Sequence, residues 1–330
     1  MKLIDIYHTA VRMGIANDPR GEEVVKKELQ KNQAAYEKLA AAAQHQPEDA
    51  IAQKELALFD QNCLFNPYSD TRLMLGEAEQ EITSVMMGID MEIGEVLLAD
   101  RLRERGKTID LLISHHPEGV ALAALTGVMH LHSDLMSQAG VLPNVARSIM
   151  TDRIQMIDRS IAVSNQQRTI QAAALLDFPF LSVHTPADNM VTKFVETHLD
   201  KAAPDTVGDV LHALEEIPEY RTAAEHKNRA TAVAGDKDSP CGKIYVDFTG
   251  GTSGSSENYK RLAEAGISTV IAMHCTEEHL KVAKEHYLNV VVASHMGSDS
   301  IGCNLFLDAL ERQGVAILPV SGLIRVSRNA

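Results

Sequence analysis

Three short stretches of this chain end an apolar run with histidine. "IDLLISHHPEGV" closes on His115 and His116, "FPFLSVHTPADN" carries His184 and then Asp188, and "NVVVASHMGSD" carries His295 and then Asp299. Neutral imidazole and carboxylate are the usual ligands of zinc, iron and manganese. A single His pair is more often a plain polar strand terminus, and H-x3-D is a common spacing with little specificity. Repetition of the pattern behind three apolar runs is what points to a metal. Two adjacent histidines at a bending strand end can diverge and each serve a different ion. That suits a two-metal site, with ions ~3.5–4 Å apart, and the double histidine is read in that way.

Other candidates carry less. His274 follows "STVIAM" at the same kind of strand end, as an extra ligand or proton shuttle set against a satisfied structural histidine. His130, His132 and Asp134 in "VMHLHSD" are read as solvent-facing, because H-x-H on a helix points to different sides. "FTGGTSGSSENYK" resembles a phosphate cradle in front of a helix. It lacks the Lys of G-x-x-x-x-G-K-[ST], since no basic residue follows until Lys260. It reads as a tight turn with room for an anion near the metals.

The elements that must position these residues follow from the apolar pattern. Ile109, Leu111, Leu112 and Ile113 read as a buried strand of a parallel sheet. His115 and His116 then sit at the carboxyl edge, where open α/β sheets bind ligands. "ITSVMMGID", "EIGEVLLADRLRERG" and "IDLLIS" form a strand–helix–strand unit with a right-handed crossover. "KIYVDF", "STVIAM", "NVVVAS" and "VAILPV" read as further strands alternating with helices, which makes the fold class α/β. We expect two α/β lobes with mixed or mainly parallel sheets. An N-terminal helical extension spans 1–65, the first lobe 66–202 with a helical insertion at about 120–178, and the second lobe 203–330. The metal site lies between the lobes. Residues 21–62 read as a helical hairpin whose stripe of Val25, Leu29, Tyr36 and Leu39 needs a partner, with Pro47, Glu48 and Asp49 opening its second helix. The polar stretch "EHKNRATAVAGDKDSPCG" reads as a surface excursion or hinge.

Composition bounds the function. The 330 residues are 45% hydrophobic and only 4% aromatic, so aliphatic residues and Met must fill the core. No run approaches the ~20 apolar residues of a membrane span, and "MKLIDIYHTAVRMG" lacks a signal-peptide pattern. A cytoplasmic protein without a membrane partner is expected. The four cysteines form no C-x-x-C pair, which argues against a disulfide framework or zinc ribbon. The net charge of −14 disfavours nucleic-acid binding and favours cations.

With these motifs in order, the chain resembles the NIF-three-like family, also called GTP cyclohydrolase I type two homologues. "ITSVMMGIDMEIGEVLLADRL…IDLLISHHP" looks like the family's strand–helix–strand with its His-His-Pro. "VHTPAD", the glycine-rich "VDFTGGTSGSSENYKRLAEAGISTVI" and "VVVASHMGSD" look like its later segments. The likeness covers roughly 66–120 and 180–320. It implies a dinuclear centre of two divalent ions (Zn, Fe or Mn) held by His115, His116, Asp188, His295 and Asp299. It also implies a homo-oligomer, a ring-like hexamer. Asp299 stands where the family has Glu, and Met273-His274 where it has Gly-Glu. The expected function is a metal-dependent hydrolase that activates water against a small polar, nucleotide- or pteridine-like substrate. His184 and His274 would be its acid/base residues. The alternative is a non-enzymatic metal-binding scaffold or regulatory protein built on the ring.

Overall fold

The computed structural model describes residues 1–45 and 50–329. The chain opens with helices α1 (Leu3–Ala16), α2 (Glu22–His45) and α3 (Ala50–Leu58). The expected helix start at Pro47–Asp49 lies outside the described residues. Strands β1 (Arg72–Leu75) and β2 (Ser84–Gly88), helix α4 (Ile93–Glu104) and β3 (Leu111–Ser114) follow. Helices α5 (Gly119–Ala123), α6 (His130–Ala139), α7 (Pro143–Ala162) and α8 (Arg168–Leu175) precede β4 (Phe180–Ser182) and α9 (Thr185–Ala202). Then come α10 (Val207–Glu215), α11 (Pro218–Glu225), β5 (Thr231–Ala234), β6 (Ile244–Asp247), α12 (Glu257–Glu264) and β7 (Thr269–Ala272). The chain closes with α13 (Glu277–Glu285), β8 (Asn289–Val292), α14 (His295–Glu311) and β9 (Ala316–Val320).

Two sheets result, ordered β1-β4-β3-β2-β9 and β5-β8-β7-β6. Both are parallel except for one antiparallel edge strand each, β1 and β5. Every residue of β2, β3, β4 and β7 is buried, as continuous apolar runs covered on both faces require. Helices α9 and α14 lie between the sheets. Ala187, Met190, Phe306 and Leu307 pack with Val85, Leu111 and Leu181 of the first sheet. Val191, Val195 and Ile301 pack with Val246, Ile271 and Val291 of the second. The outer faces are covered by α4 and α8 on one side, and by α12 and α13 on the other. The fold is α/β, with five layers alternating helix and sheet.

Three readings change. The final strand "VAILPV" leaves the second half of the chain and pairs with β2, because α14 carries the backbone across from one sheet to the other. Helix α1 is core: Leu3, Ile6, Tyr7, Ala10 and Val11 are buried at helical spacing beside α9, so an extension beginning at residue 1 is too long. The stretch read as a hinge contains β5, whose "TAVA" is short and half-exposed and so carries no apolar run. The hairpin α2–α3 buries only Val25, Ala43 and Ala52 fully, and Tyr36 packs on Phe59 at 5.3 Å between ring centroids. Among the described residues, no helix is long and apolar enough to cross a membrane. All four cysteines are free, and only Cys241 and Cys303 are fully buried.

Candidate metal centre

The parallel strands of both sheets point their carboxyl ends at one place. From the first sheet come Asp90 after β2, His115 and His116 after β3, and His184 after β4; from the second come Asp247 at the end of β6, His274 after β7 and His295 after β8. The segments read as loops after β4 and β8 are helix starts. His184 is the N-cap of α9, and His295 is the first residue of α14. Asp188 and Asp299 therefore lie one helical turn in, beneath their histidines. The two helices can meet because position 302 is glycine: a Cβ on Gly302 would lie 2.2 Å from the Ala187 carbonyl oxygen. That approach sets both carboxylates around His115, whose Nε2 is 3.5 Å from Asp188 Oδ1 and 3.6 Å from Asp299 Oδ1.

The remaining donors close the cluster. His116 Nε2 lies 3.5 Å and His295 Nε2 3.4 Å from Asp299 Oδ2, and His184 Nε2 lies 3.8 Å from Asp188 Oδ2. Three of the histidines are tied from behind through Nδ1. His115 donates to the Val183 carbonyl at 3.1 Å, while His116 faces Asp90 at 2.7 Å and His184 faces Asp70 at 2.9 Å. Such outer partners fix ring orientation and leave Nε2 free to ligate. For His115 the carbonyl partner places a hydrogen on Nδ1, and Nε2 is the nitrogen turned toward the two carboxylates.

His115 Nε2 and both Asp299 oxygens are buried without a hydrogen-bond partner, although buried polar groups are almost always paired. Two donors ~2.1 Å from one tetrahedral ion stand ~3.4 Å apart, close to the separations found here. Three overlapping sets have donor atoms within 4.8 Å of one another: His115–His116–His184, His116–His295–Asp299 and His115–Asp188–Asp299. The residues fit a divalent cation.

Burial pushes the Asp188 carboxyl well above its ordinary range, opposed by His115. Burial also works against ionised Asp299, but the imidazoles of His115, His116 and His295 outweigh it and hold that carboxyl well below the usual range. His116 is raised to about 10: burial opposes the charge, and Asp299 and Asp90 overcome it. His295 is lowered by burial.

The structure brings together His115, His116, His184, Asp188, His295 and Asp299. His274 is exposed at the edge, its ring 5.4 Å from that of His295, and belongs to none of the three donor sets. The reading of "VMHLHSD" holds for exposed His130 and fails for His132, which is buried and donates from Nε2 to the Thr252 carbonyl at 2.7 Å. It thereby grips the glycine-rich loop. Gly250 (φ +114) lies flat on the His132 ring, and a Cβ there would come within 2.6 Å of Nε2. Arg153 of α7 holds Ser253 through its carbonyl and hydroxyl oxygens, each at 3.0 Å. The loop walls a cleft of ≈ 50 Å3 lined by His184, Asp247, His274, His279, His295 and Asp299, among others. Asp70 and Asp90 were missed. Asp90 closes the run "SVMMGID" and was open to the strand-end argument, whereas Asp70 precedes an edge strand and no apolar run announces it.

A scan against protein-family models and a search of curated proteins find no match. Among solved structures, the chain is similar to a NIF3 superfamily protein from Sphaerobacter thermophilus. Identity is 30% and the TM-score 0.68, over 77% of this chain and 92% of that one. It is also similar to reduced HcgD from Methanocaldococcus jannaschii, at 16% identity and TM-score 0.47 over 76% and 87% of the two chains. The protein ybgI aligns at 13% identity and TM-score 0.45 over 89% and 97%. The identity and coverage of the Sphaerobacter match, reached on a fold that ends its strands in the same histidine and aspartate positions read from the sequence, place this chain in the NIF3 superfamily.

Proposed function

We propose that the protein is a dinuclear metal-dependent hydrolase. The observation that carries this is the set of buried, unpartnered atoms, His115 Nε2 with Asp299 Oδ1 and Oδ2, which face one another beside a cleft that Asp299 helps to line. His115, His116, Asp188, His295 and Asp299 would hold two divalent ions, zinc, iron or manganese. His184, placed by the sequence reading as an acid/base group, offers Nε2 to the same cluster and joins as a further donor. Asp299 would supply negative charge to the ions through both oxygens, which face three different imidazoles. Bound ions would supply a water whose pKa is lowered toward ~7. His274, exposed at the cleft's edge, would exchange protons with solvent.

The cleft limits what can react. At ≈ 50 Å3 it is far smaller than the ~300–1,000 Å3 of ordinary small-molecule sites. A nucleotide- or pteridine-like substrate enters only if its scissile group is small and its body stays outside, or if the glycine-rich loop moves. A second-order role as scaffold needs no such access. The test is elemental analysis of purified wild type, His115→Ala and Asp299→Ala, followed by a hydrolase screen with the metal found. About two ions per chain, lost in both variants together with turnover, is the expected result. A wild type that neither contains nor takes up Zn, Fe or Mn overturns it. Metal binding without any hydrolysis, with assembly lost in the variants, favours the scaffold.

A further inference from the structure

A second concavity, away from the metal centre, has a charge character opposite to that of the chain. It is a groove of ≈ 590 Å3 between α2 and the segment that runs from Gly127 through α6 into the start of α7. Four cationic side chains line it: Arg20, Lys27, Lys31 and Arg147, with His130 beside them. Its two carboxylates, Glu28 and Asp134, are both taken by Arg20, at 2.8 and 3.5 Å. Arg20 is itself buried and anchored to Asp18. Among the described residues, Lys27, Lys31 and Arg147 have no ion-pair partner. The chain as a whole carries a net charge of −14.

Lys27 and Lys31 are four apart, so both project from one face of α2. Like charges at that spacing weaken a helix, and Arg147 on the opposite wall adds to the repulsion. The arrangement costs stability unless something negative neutralises it. Concave sites lined by one sign of charge focus their field on a ligand, and guanidinium and ammonium groups are the usual partners of phosphate oxygens. The volume lies within the range of small-molecule sites. An extended polyanion such as nucleic acid would meet the acidic surface beyond the groove.

We propose that this groove binds a small polyanion carrying two or more phosphate-type groups, held between Lys27 and Lys31 on one side and Arg147 on the other. The site is separate from the metal centre and does not depend on it. The probe is inorganic triphosphate, titrated calorimetrically at low salt into EDTA-treated full-length protein. Saturable one-to-one binding is expected in wild type and in His115→Ala, weakening as potassium chloride is raised. The Lys27→Ala/Lys31→Ala/Arg147→Ala variant should bind at least tenfold more weakly. These side chains sit on the surface, and circular dichroism checks that the variant is folded. Inorganic phosphate, with one group to offer, should bind more weakly than triphosphate. No saturable binding by wild type overturns the proposal. So does binding that survives in the triple variant but disappears in His115→Ala, because the anion would then occupy the metal cluster. A triple variant that changes oligomeric state in sedimentation velocity, with no triphosphate bound by wild type, would make the groove an interface between copies instead.

Discussion

His116 shows how much of a candidate ligand's chemistry is settled by what stands behind it. Its Nδ1 faces Asp90 at 2.7 Å, and its Nε2 faces Asp299. A carboxylate behind a histidine fixes the ring and strengthens the other nitrogen as a donor, and losing such a partner typically costs ~10–100-fold in metal affinity. Asp90→Ala should therefore weaken metal binding by about that factor while the protein stays folded, because Asp90 is more than half exposed. A competition titration against a chromophoric chelator reads this, and unchanged affinity would remove Asp90 from the site. The same pair makes a pH prediction. With its folded pKa pushed up to about 10, His116 carries a proton at neutral pH in the metal-free protein. A ligand must be deprotonated to bind a cation, so metal uptake at pH 7 expels that proton, and affinity climbs as pH rises toward 10. Calorimetry in buffers of different ionisation enthalpy should show net proton release. Uptake without release would mean that His116 is not a ligand.

At the scale of elements, the site is made by two helices that nearly touch. Asp188 lies in the first turn of α9 and Asp299 one turn into α14, and Gly302 lets those helices approach against the Ala187 backbone. Gly302→Ala puts a methyl 2.2 Å from a carbonyl oxygen that no side-chain rotation can move. Overpacking of this kind costs roughly 1–3 kcal/mol, and parting the helices also separates the two carboxylates. The variant should melt earlier than wild type and take up less metal per folded chain. A variant with lower Tm but full metal content would show that the helix approach stabilises the fold without setting the site. This contact marks where sequence reasoning stops. The strand ends at His115, His184 and His295 were legible because buried strands write themselves as apolar runs, and the histidines end those runs. That α9 and α14 meet was not legible, since a glycine inside a helix gives no sign of what lies opposite. Strands β1 and β5 were missed for a related reason: an edge strand of four residues, half-exposed, has no run to recognise. His132 was misjudged because its burial comes from a loop more than a hundred residues away, at Gly250 and Thr252.

Across the whole molecule, the centre ties the two sheets together. His115, His116, His184 and Asp188 come from the first sheet and α9, while His295 and Asp299 come from α14, which leaves the second sheet and leads into β9 of the first. The helices α9 and α14 are shared by both cores, so neither sheet keeps its inner face covered if they part. Unfolding should then be one cooperative transition, and a ligand at the junction should stabilise the entire chain. A cation that binds only the folded state contributes about 2.7 kcal/mol at a free concentration one hundred times its Kd. Removing it leaves His115 Nε2 and the Asp299 oxygens buried without partners. Differential scanning calorimetry of metal-loaded and EDTA-treated protein should give a single transition in each case, several degrees lower without metal and restored by adding the metal back. The sign with pH follows from the ligands. His116 binds metal only when neutral and holds its proton up to about pH 10 in the metal-free protein, so the gap between the two melting temperatures should narrow as pH falls from about 10. Two separate transitions would mean that the sheets unfold independently. Equal melting temperatures with and without metal, in protein shown to bind it, would mean that the cluster contributes nothing to holding the two sheets together.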